Sequence, residues 1–200
     1  MSLSNDAQIM LSVIIPTDGV EQTAVATLTA LVPGAASGVV REVLLVDRTD
    51  NDVIERVADI AGCRFLRMQG SPTAALAAGA AQARSPWLMF LRAGAVLDAG
   101  WIDETTQFIQ TVAAGGRPRA GIFRYGPSPY AETTLRDRFN AIARFVAGPL
   151  TDQGLLIARD HYVRLGGYAP EMRRAEAKLL RRLGRSSRTL LRSRIVMVGV

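Results

Sequence analysis

The first hundred residues alternate short apolar runs with segments of helical periodicity, and this alternation limits the folds that the chain can adopt. Continuous apolar runs indicate strands that are buried on both faces, as in parallel sheets. The segments between the runs place apolar residues every three or four positions, as amphipathic helices do. Such βαβ repetition predicts an α/β fold with a mostly parallel central sheet flanked by helices. The predicted strands are residues 11–16, 42–47, 63–68 and 86–91.

Three helices are predicted between these strands, at residues 21–31, 53–60 and 72–84. The first is expected to stop at Pro33-Gly34, because proline and glycine commonly end helices. After residue 100 the regular alternation ends. The predicted order is then a helix at 101–112, a strand at 120–125, a helix at 135–146, a strand at 155–158, helices at 159–165 and 175–183, and a strand at 194–200.

The composition is that of an ordinary globular protein, with 48% apolar and 21% charged residues. No apolar run reaches the roughly 18–20 residues that a membrane-spanning helix needs. Cys63 is the single cysteine, which fits a reducing compartment. We therefore expect one domain of residues 1–200 in the cytoplasm.

Positive charge is concentrated near the C-terminus. Residues 173–194 contain nine basic side chains and one acidic one, while the whole chain carries a net charge of +6. One interpretation is an ordinary solvated surface. The other is peripheral contact with the anionic inner face of a membrane, or with substrate phosphates. No aromatic residue is interleaved with these cations, and nucleic acid is therefore not an expected partner.

Four segments carry an ordered pattern that extends from about residue 11 to 185. They are residues 12–17 (SVIIPT), residues 44–50 (LLVDRTD), residues 74–94, and residues 152–185 with Asp152-Gln-Gly and Leu165-Gly-Gly-Tyr. In this order the segments resemble the family 2 glycosyltransferases. The resemblance implies the GT-A nucleotide-diphospho-sugar fold and a nucleotide-sugar donor. It also implies a donor half at about 11–98 and an acceptor half at about 99–200, which includes the basic C-terminal segment.

The resemblance implies a donor site where the predicted strands end. Ligands of open α/β sheets bind beyond the carboxyl ends of the strands. The nucleotide-diphosphate side would consist of Pro16, Thr17, Asp47, Arg48 and Arg92. In the family, the acid that matches Asp47 holds a uracil-type base. The alternative role of Asp47 is to cap a helix or a turn.

The chain departs from the family at its metal site. Arg92 and Gly94 stand where the family has Asp-x-Asp, whose carboxylates bind Mg²⁺ or Mn²⁺. No metal ligands are therefore predicted, and His161, the single histidine, lacks the companions that a metal site needs. Under one hypothesis Arg92 pairs with the leaving diphosphate in place of the cation. Under the other, Arg92 is a surface residue of a site that has decayed.

The catalytic base is also altered. Met172 and Arg173 stand where the family has a Glu-Asp pair, so the remaining candidates are Asp152 and Glu171. The resemblance predicts transfer of a sugar from a nucleotide-sugar to an unknown acceptor, in bacterial cell-envelope polysaccharide synthesis. A divalent metal is usual in the family, and its missing ligands make the transfer metal-independent under the hypothesis that Arg92 replaces the cation. The alternative is a catalytically inactive homologue that binds a nucleotide or sugar, or serves as a partner protein. The missing motifs leave open whether the chain is an enzyme.

Overall fold

The computed structural model describes residues 9–126, 154–169 and 175–199. These residues contain eight strands and six helices. The strands are β1 (Leu11–Thr17), β2 (Val40–Asp47), β3 (Arg64–Arg67), β4 (Trp87–Phe90), β5 (Ala95–Leu97), β6 (Ala120–Tyr125), β7 (Leu155–Ala158) and β8 (Arg188–Met197). The helices are α1 (Glu21–Ala36), α2 (Val53–Ala61), α3 (Pro72–Gln82), α4 (Trp101–Gly115), α5 (Arg159–Arg164) and α6 (Ala175–Leu183).

All eight strands form one sheet in the order β3-β2-β1-β4-β7-β6-β8-β5. β1 pairs in parallel with β2 and β4, and β2 with β3. β7 is antiparallel to both β4 and β6, so that β6 and its parallel neighbour β8 run in the direction of β1. The carboxyl ends of β1, β2, β4, β6 and β8 therefore lie at the same edge of the sheet, here called the carboxyl edge. The predicted α/β class is confirmed.

Helices cover both faces of the sheet. α1, α2 and α4 pack on one face, and α3, α5 and α6 pack on the other. Each face has its own hydrophobic core, the first under α1, α2 and α4 and the second under α3, α5 and α6. Alternate residues of β1 point to opposite faces, so that Val13 and Ile15 join the first core and Ile14 joins the second. The sheet curls, and its edge strand β5 contacts α1.

α1 continues to Ala36, and the prediction that it stops at Pro33-Gly34 is wrong. Pro33 lies near the end of the helix, where its missing N–H removes a single hydrogen bond. Gly34 is buried against α4, and a Cβ atom there would lie 2.5 Å from the ring of Trp101. Close packing against Trp101 thus overrides the local preference of proline and glycine.

β8 begins six residues before the strand predicted at 194–200, and β5 was not predicted. The pattern of β8 alternates the buried Leu191, Ser193 and Ile195 with exposed residues. This period of two indicates a strand, but the high arginine content instead suggested a solvated segment. The latter part of the basic segment therefore belongs to the sheet.

The basic helix predicted at 175–183 is confirmed with those bounds. The helix predicted at 135–146 lies outside the described residues. Among the described helices, none combines the length and the apolar character needed to cross a bilayer. Strands from both predicted halves, 11–98 and 99–200, join the same sheet, and the assignment of these halves to donor and acceptor stays a prediction.

Candidate functional site

The carboxyl edge brings together all five residues predicted to bind the nucleotide diphosphate. In the β1–β2 pair, Pro16 faces Val46 and Thr17 faces Asp47, so the ends of the two strands are level. Arg48 follows Asp47 directly. Arg92 lies in the turn after β4, which is the other neighbour of β1, and its side chain is exposed. The sheet topology therefore places the predicted residues around one crevice.

The Asp47 carboxylate is fully buried and its two oxygens accept four hydrogen bonds from the chain itself. Oδ1 accepts from the Thr17 hydroxyl at 2.8 Å and from the Gly19 backbone N–H at 2.9 Å. Oδ2 accepts from the Thr49 hydroxyl at 2.5 Å and from the Thr49 N–H at 3.2 Å. A carboxylate has about four acceptor positions, and all of these are used. Asp47 thus holds together the loops after β1 and β2, and its role toward a nucleobase stays a prediction.

Gly19 allows these two loops to touch. Its φ of +74° lies in the region that favours glycine. A Cβ atom at this position would lie 2.6 Å from the Asn51 amide nitrogen and 2.9 Å from the Thr49 hydroxyl. The loops after β1 and β2 are therefore tightly packed against each other, and a side chain at residue 19 would have no room.

Arg48 connects three loops at the carboxyl edge. Its guanidinium forms an ion pair with Asp18 after β1, and Nη1 donates to the carbonyl oxygen of Gly70 before α3, at 2.9 Å. Its Nε is buried without a hydrogen-bond partner. Much of the guanidinium is thus committed to the protein, so a contribution of Arg48 to diphosphate binding stays a prediction.

The turn from Arg92 to Gly94 is closed to a second acidic side chain. Gly94 has a φ of +91°, and a Cβ atom there would lie 2.5 Å from the backbone oxygen of Val198. The Gly94 oxygen accepts from the Val198 N–H at 2.8 Å, and the Gly94 N–H donates to the Thr27 hydroxyl at 2.9 Å. Met197 and Val198, at the end of β8, therefore occupy the space that a side chain at residue 94 would need.

The residues of this turn do not fit a divalent cation. Such ions require several oxygen ligands, whereas the turn offers the cation Arg92 and the buried Gly94. In the described ranges 9–126, 154–169 and 175–199, no group of three or more His, Cys, Asp or Glu residues is arranged to hold a metal. A guanidinium cannot ligate a cation, but it pairs well with phosphate oxygens.

The segment before the predicted base packs against the end of β4. Gly166 and Gly167 both have positive φ, and a Cβ atom at Gly167 would lie 2.9 Å from the Tyr162 ring. Tyr168 is thereby placed 5.0 Å, between ring centroids, from Phe90, and its N–H donates to the Tyr162 hydroxyl at 3.0 Å. This aromatic cluster was not recognised in the sequence.

The two predicted base candidates, Asp152 and Glu171, lie outside the described residues, and their roles stay predictions. His161 is buried in α5, and neither ring nitrogen has a hydrogen-bond partner. Burial, together with the charge of Arg164, lowers the pKa of His161. Cys63 is half-buried, and burial raises the pKa of its thiol, which disfavours the reactive thiolate.

The basic segment is built into the fold over most of its length. Leu179 and Leu183 of α6 are buried in the second core. Arg182 donates to the Leu165 oxygen at 2.9 Å, and Arg188 donates to the Leu180 oxygen. Some cations of residues 173–194 therefore have structural partners, while others are exposed: Arg181, Arg185, Arg192 and Arg194. Contact of this surface with an anionic membrane stays a prediction.

Solved structures identify the fold. The crystal structure of TarS 1–349 from S. aureus matches with a TM-score of 0.70 at 13% identity, over 94% of this chain and 60% of that chain. Its complex with UDP matches with a TM-score of 0.70 at 12% identity, over 95% and 60% of the two chains. Glucosyl-3-phosphoglycerate synthase from Mycobacterium tuberculosis, in complex with phosphoglyceric acid, matches with a TM-score of 0.58 at 16% identity, over 96% and 72%.

These matches show that the chain has the GT-A glycosyltransferase fold, as the sequence resemblance predicts. The chain spans about 60% of the length of the TarS structure. No protein-family model matches the sequence, and no curated protein matches it.

Proposed function

From the GT-A glycosyltransferase fold, we propose that the protein binds a nucleotide-diphospho-sugar at its carboxyl edge and transfers the sugar without a divalent cation. The observation that carries the proposal is the closed turn after β4. There an exposed arginine precedes a glycine whose side-chain position is blocked by the backbone of Val198. The turn retains a positive charge at Arg92 but has no space for an acidic side chain at residue 94.

The chemistry requires that the charge of the leaving diphosphate be neutralised as the sugar departs. A guanidinium can do this with two parallel N–H···O bonds to phosphate oxygens. Arg92 is exposed at the end of β4, next to β1, where the diphosphate would lie beside Thr17 and Asp47. A fixed cation at this position would favour the transition state over the ground state, because negative charge develops there during the reaction.

Transfer also requires a group that takes the proton of the acceptor hydroxyl. Asp152 and Glu171 are our candidates for this base. The tight Gly166-Gly167 turn packs Tyr168 against Phe90. It thereby anchors the chain shortly before Glu171 at the end of β4.

Uridine diphosphate is the first nucleotide to test. One similar structure is TarS with UDP. Another is the M. tuberculosis synthase with Mn²⁺, UDP and glucosyl-3-phosphoglycerate. It matches with a TM-score of 0.56 at 16% identity, over 96% of this chain and 72% of that chain. Both proteins are bacterial by their source, and a cytoplasmic role in bacterial cell-envelope polysaccharide synthesis is part of the proposal. So is peripheral contact of residues 173–194 with an anionic membrane.

The proposal is tested by calorimetric titration of UDP and UMP into the wild type, Arg92→Ala and Arg41→Ala, all in excess chelator. Arg41 is a matched control because it is exposed near the amino end of β2, away from the carboxyl edge. Loss of charge-assisted hydrogen bonds costs about 1.5–3 kcal/mol. Arg92→Ala should therefore weaken UDP binding about 10- to 100-fold and remove its preference over UMP. Equal UDP affinity in Arg92→Ala and Arg41→Ala would overturn the proposal.

A second candidate function is binding without turnover. It is favoured by the absence of the family's Asp-x-Asp and Glu-Asp pairs, at whose positions the sequence has Arg92 and Gly94, and Met172 and Arg173. The two candidates differ in one product. A transferase releases free nucleoside diphosphate from a nucleotide-sugar panel in the presence of acceptor, whereas a binding protein leaves the nucleotide-sugar intact.

A further inference from the structure

The parallel pairing of β6 with β8 is interrupted by a bulge in β8. Ile122 faces Leu190, but two residues later Arg124 faces Arg194. Two steps along β6 are therefore matched by four steps along β8. Bulges of this kind redirect side chains, and they occur often beside active sites.

Two acidic side chains hold the bulge in place. Glu104 of α4 accepts the backbone N–H groups of Arg192 and Ser193, at 2.5 Å and 2.6 Å. Asp98 accepts the backbone N–H of Arg194 at 3.0 Å. Burial opposes the charge of Glu104, but these hydrogen bonds outweigh it and lower the pKa of the carboxyl group. The bulge is thus a fixed feature that brings Arg194, rather than Arg192, opposite Arg124.

The bulge makes Arg124 and Arg194 direct neighbours across the β6–β8 pair. Arg124 and Arg194 are partners across a parallel pair, where neighbouring strands are about 4.8 Å apart. Both are exposed, while Phe123 and Ile195 point into the core on the opposite face. In the part of the chain that the structure describes, neither Arg124 nor Arg194 takes part in an ion pair. Like charges that face each other across a sheet are destabilising, and an anion bound between the two side chains would offset this repulsion.

Gly126 leaves space beside this pair. A Cβ atom at Gly126 would lie 3.4 Å from the Arg194 Cβ and 3.2 Å from a methyl group of Val196. Its N–H donates to the Ile195 oxygen at 2.8 Å, which continues the strand pairing past Tyr125. A larger residue at 126 would press against the stem of Arg194, whereas glycine leaves the approach to the guanidinium open.

The arginine pair lies on the same side of the molecule as the nucleotide crevice, but in another part of the sheet. β6 and β8 run in the direction of β1 and β4, so their carboxyl ends reach the same edge. They are two and three strands away from β4 in the order of the sheet. The sheet curls, so that the Val198 N–H just after β8 donates to the Gly94 oxygen beside Arg92, but Arg194 lies four residues before Val198, or roughly 13 Å along an extended strand. A phosphate held by Arg124 and Arg194 is therefore a different group from one held at Arg92.

We propose that Arg124 and Arg194 form a second phosphate-binding site, and that the phosphate belongs to the acceptor. Two planar guanidinium groups on neighbouring strands can offer several N–H donors to the oxygens of one phosphate group. The acceptor is thus a phosphorylated molecule or polymer. This identification of the acceptor rests on the proposed function, whereas the phosphate site itself rests only on the β6–β8 geometry.

The test measures thermal unfolding of the wild type at low salt with inorganic phosphate and with glucose 6-phosphate, alongside Arg124→Gln, Arg194→Gln and the control Arg181→Gln. Arg181 is an exposed cation of α6, so all three variants lose one positive charge. At ten times the dissociation constant, a ligand of the native state should raise the midpoint by about 3–6 °C. This rise should be lost in Arg124→Gln and Arg194→Gln and kept in Arg181→Gln.

The same variants without phosphate give a second readout. Because each variant removes one member of a repelling pair, Arg124→Gln and Arg194→Gln should unfold at the same temperature as the wild type or higher at low salt. If the two arginines served only to stabilise the fold, both variants would unfold at a lower temperature. Absence of a phosphate effect in the wild type, or an equal effect in all variants, would overturn the site.

The source of the phosphate is decided by titrating UDP into the variants. Unchanged UDP affinity in Arg124→Gln and Arg194→Gln supports the acceptor assignment. A parallel loss of UDP affinity, with phosphate competing against UDP, would overturn it and assign the pair to the donor diphosphate. Failure of UDP to bind the wild type would instead remove the proposed function, while the phosphate response still decides the arginine site.

Discussion

The closed turn after β4 makes a quantitative prediction for Gly94→Ala. Its φ of +91° is unfavourable for any residue with a Cβ atom, at a cost of about 1–2 kcal/mol. The new Cβ would also lie 2.5 Å from the Val198 oxygen, which is backbone and cannot rotate away. Forcing the backbone apart adds about 1–3 kcal/mol. We therefore expect Gly94→Ala to lower the free energy of unfolding by about 2–5 kcal/mol, measured by urea denaturation.

Gly62→Ala is the matched control for this measurement. Gly62 ends α2 with a φ of +66°, but the space around it is open and a Cβ would meet nothing within 4 Å. Gly62→Ala should thus lower the free energy of unfolding only by the cost of the left-handed backbone, about 1–2 kcal/mol. Equal losses in Gly94→Ala and Gly62→Ala would refute the steric closure. So would a folded Arg92→Asp/Gly94→Asp variant that binds Mn²⁺, because the turn would then have room for the family's two acids.

The remaining predictions concern the buried acids and the basic surface. Asp47→Asn should leave buried donors of the two loops unpaired and lower the free energy of unfolding by about 1–3 kcal/mol; an unchanged UDP affinity in the folded variant would remove Asp47 from the base site. The lowered pKa of Glu104 means that its hydrogen bonds stabilise the fold above the unfolded pKa of about 4.3 and are lost as the pH falls through the folded pKa. Glu104→Gln should thus be less stable than the wild type at pH 7, and denaturation curves recorded at decreasing pH should show the difference shrink; a difference that persists at pH 2 would contradict this. Liposome co-sedimentation should depend on anionic lipid and weaken as salt rises. The binding free energy should fall by about 1 kcal/mol for each exposed cation removed, as in the variant with glutamine at Arg181 and Arg185; indifference to lipid charge would leave an ordinary solvated surface.

The sequence predicted the parallel half of the sheet well, because its strands are buried on both faces and appear as continuous apolar runs. It predicted β8 poorly for the opposite reason. Arg192 and Arg194 occupy the solvent side of that strand, and their charge obscured the buried positions of Leu191 and Ile195 between them. Two-residue alternation in a charged segment is a weak signal, since the charges alone are typical of a solvated surface.

The candidate site was predictable in position but not in detail. The ends of parallel strands converge by topology, so Thr17, Asp47 and Arg92 had to lie at one edge. The four hydrogen bonds that occupy Asp47 depend on the conformation of the loops after β1 and β2, which no periodicity encodes. The blocked position at Gly94 depends on Val198, more than one hundred residues away in sequence.

The bulge in β8 could not be predicted from the sequence either. Which arginine faces Arg124 is decided by Glu104 and Asp98, whose carboxylates capture backbone N–H groups that would otherwise pair along the strand. Such a contact joins a helix to a distant strand, and local propensity does not predict it. The arginine pair therefore became visible only in the three-dimensional arrangement.

The central claim is that the diphosphate is held by arginine and not by a metal ion. It is tested most directly by calorimetric titration of UDP into the wild type in excess chelator and again in saturating Mn²⁺ or Mg²⁺. The account predicts binding in chelator with an affinity that the metal does not improve. Binding that appears only when Mn²⁺ or Mg²⁺ is added would contradict it, because such binding requires cation ligands that Arg92 and Gly94 cannot provide.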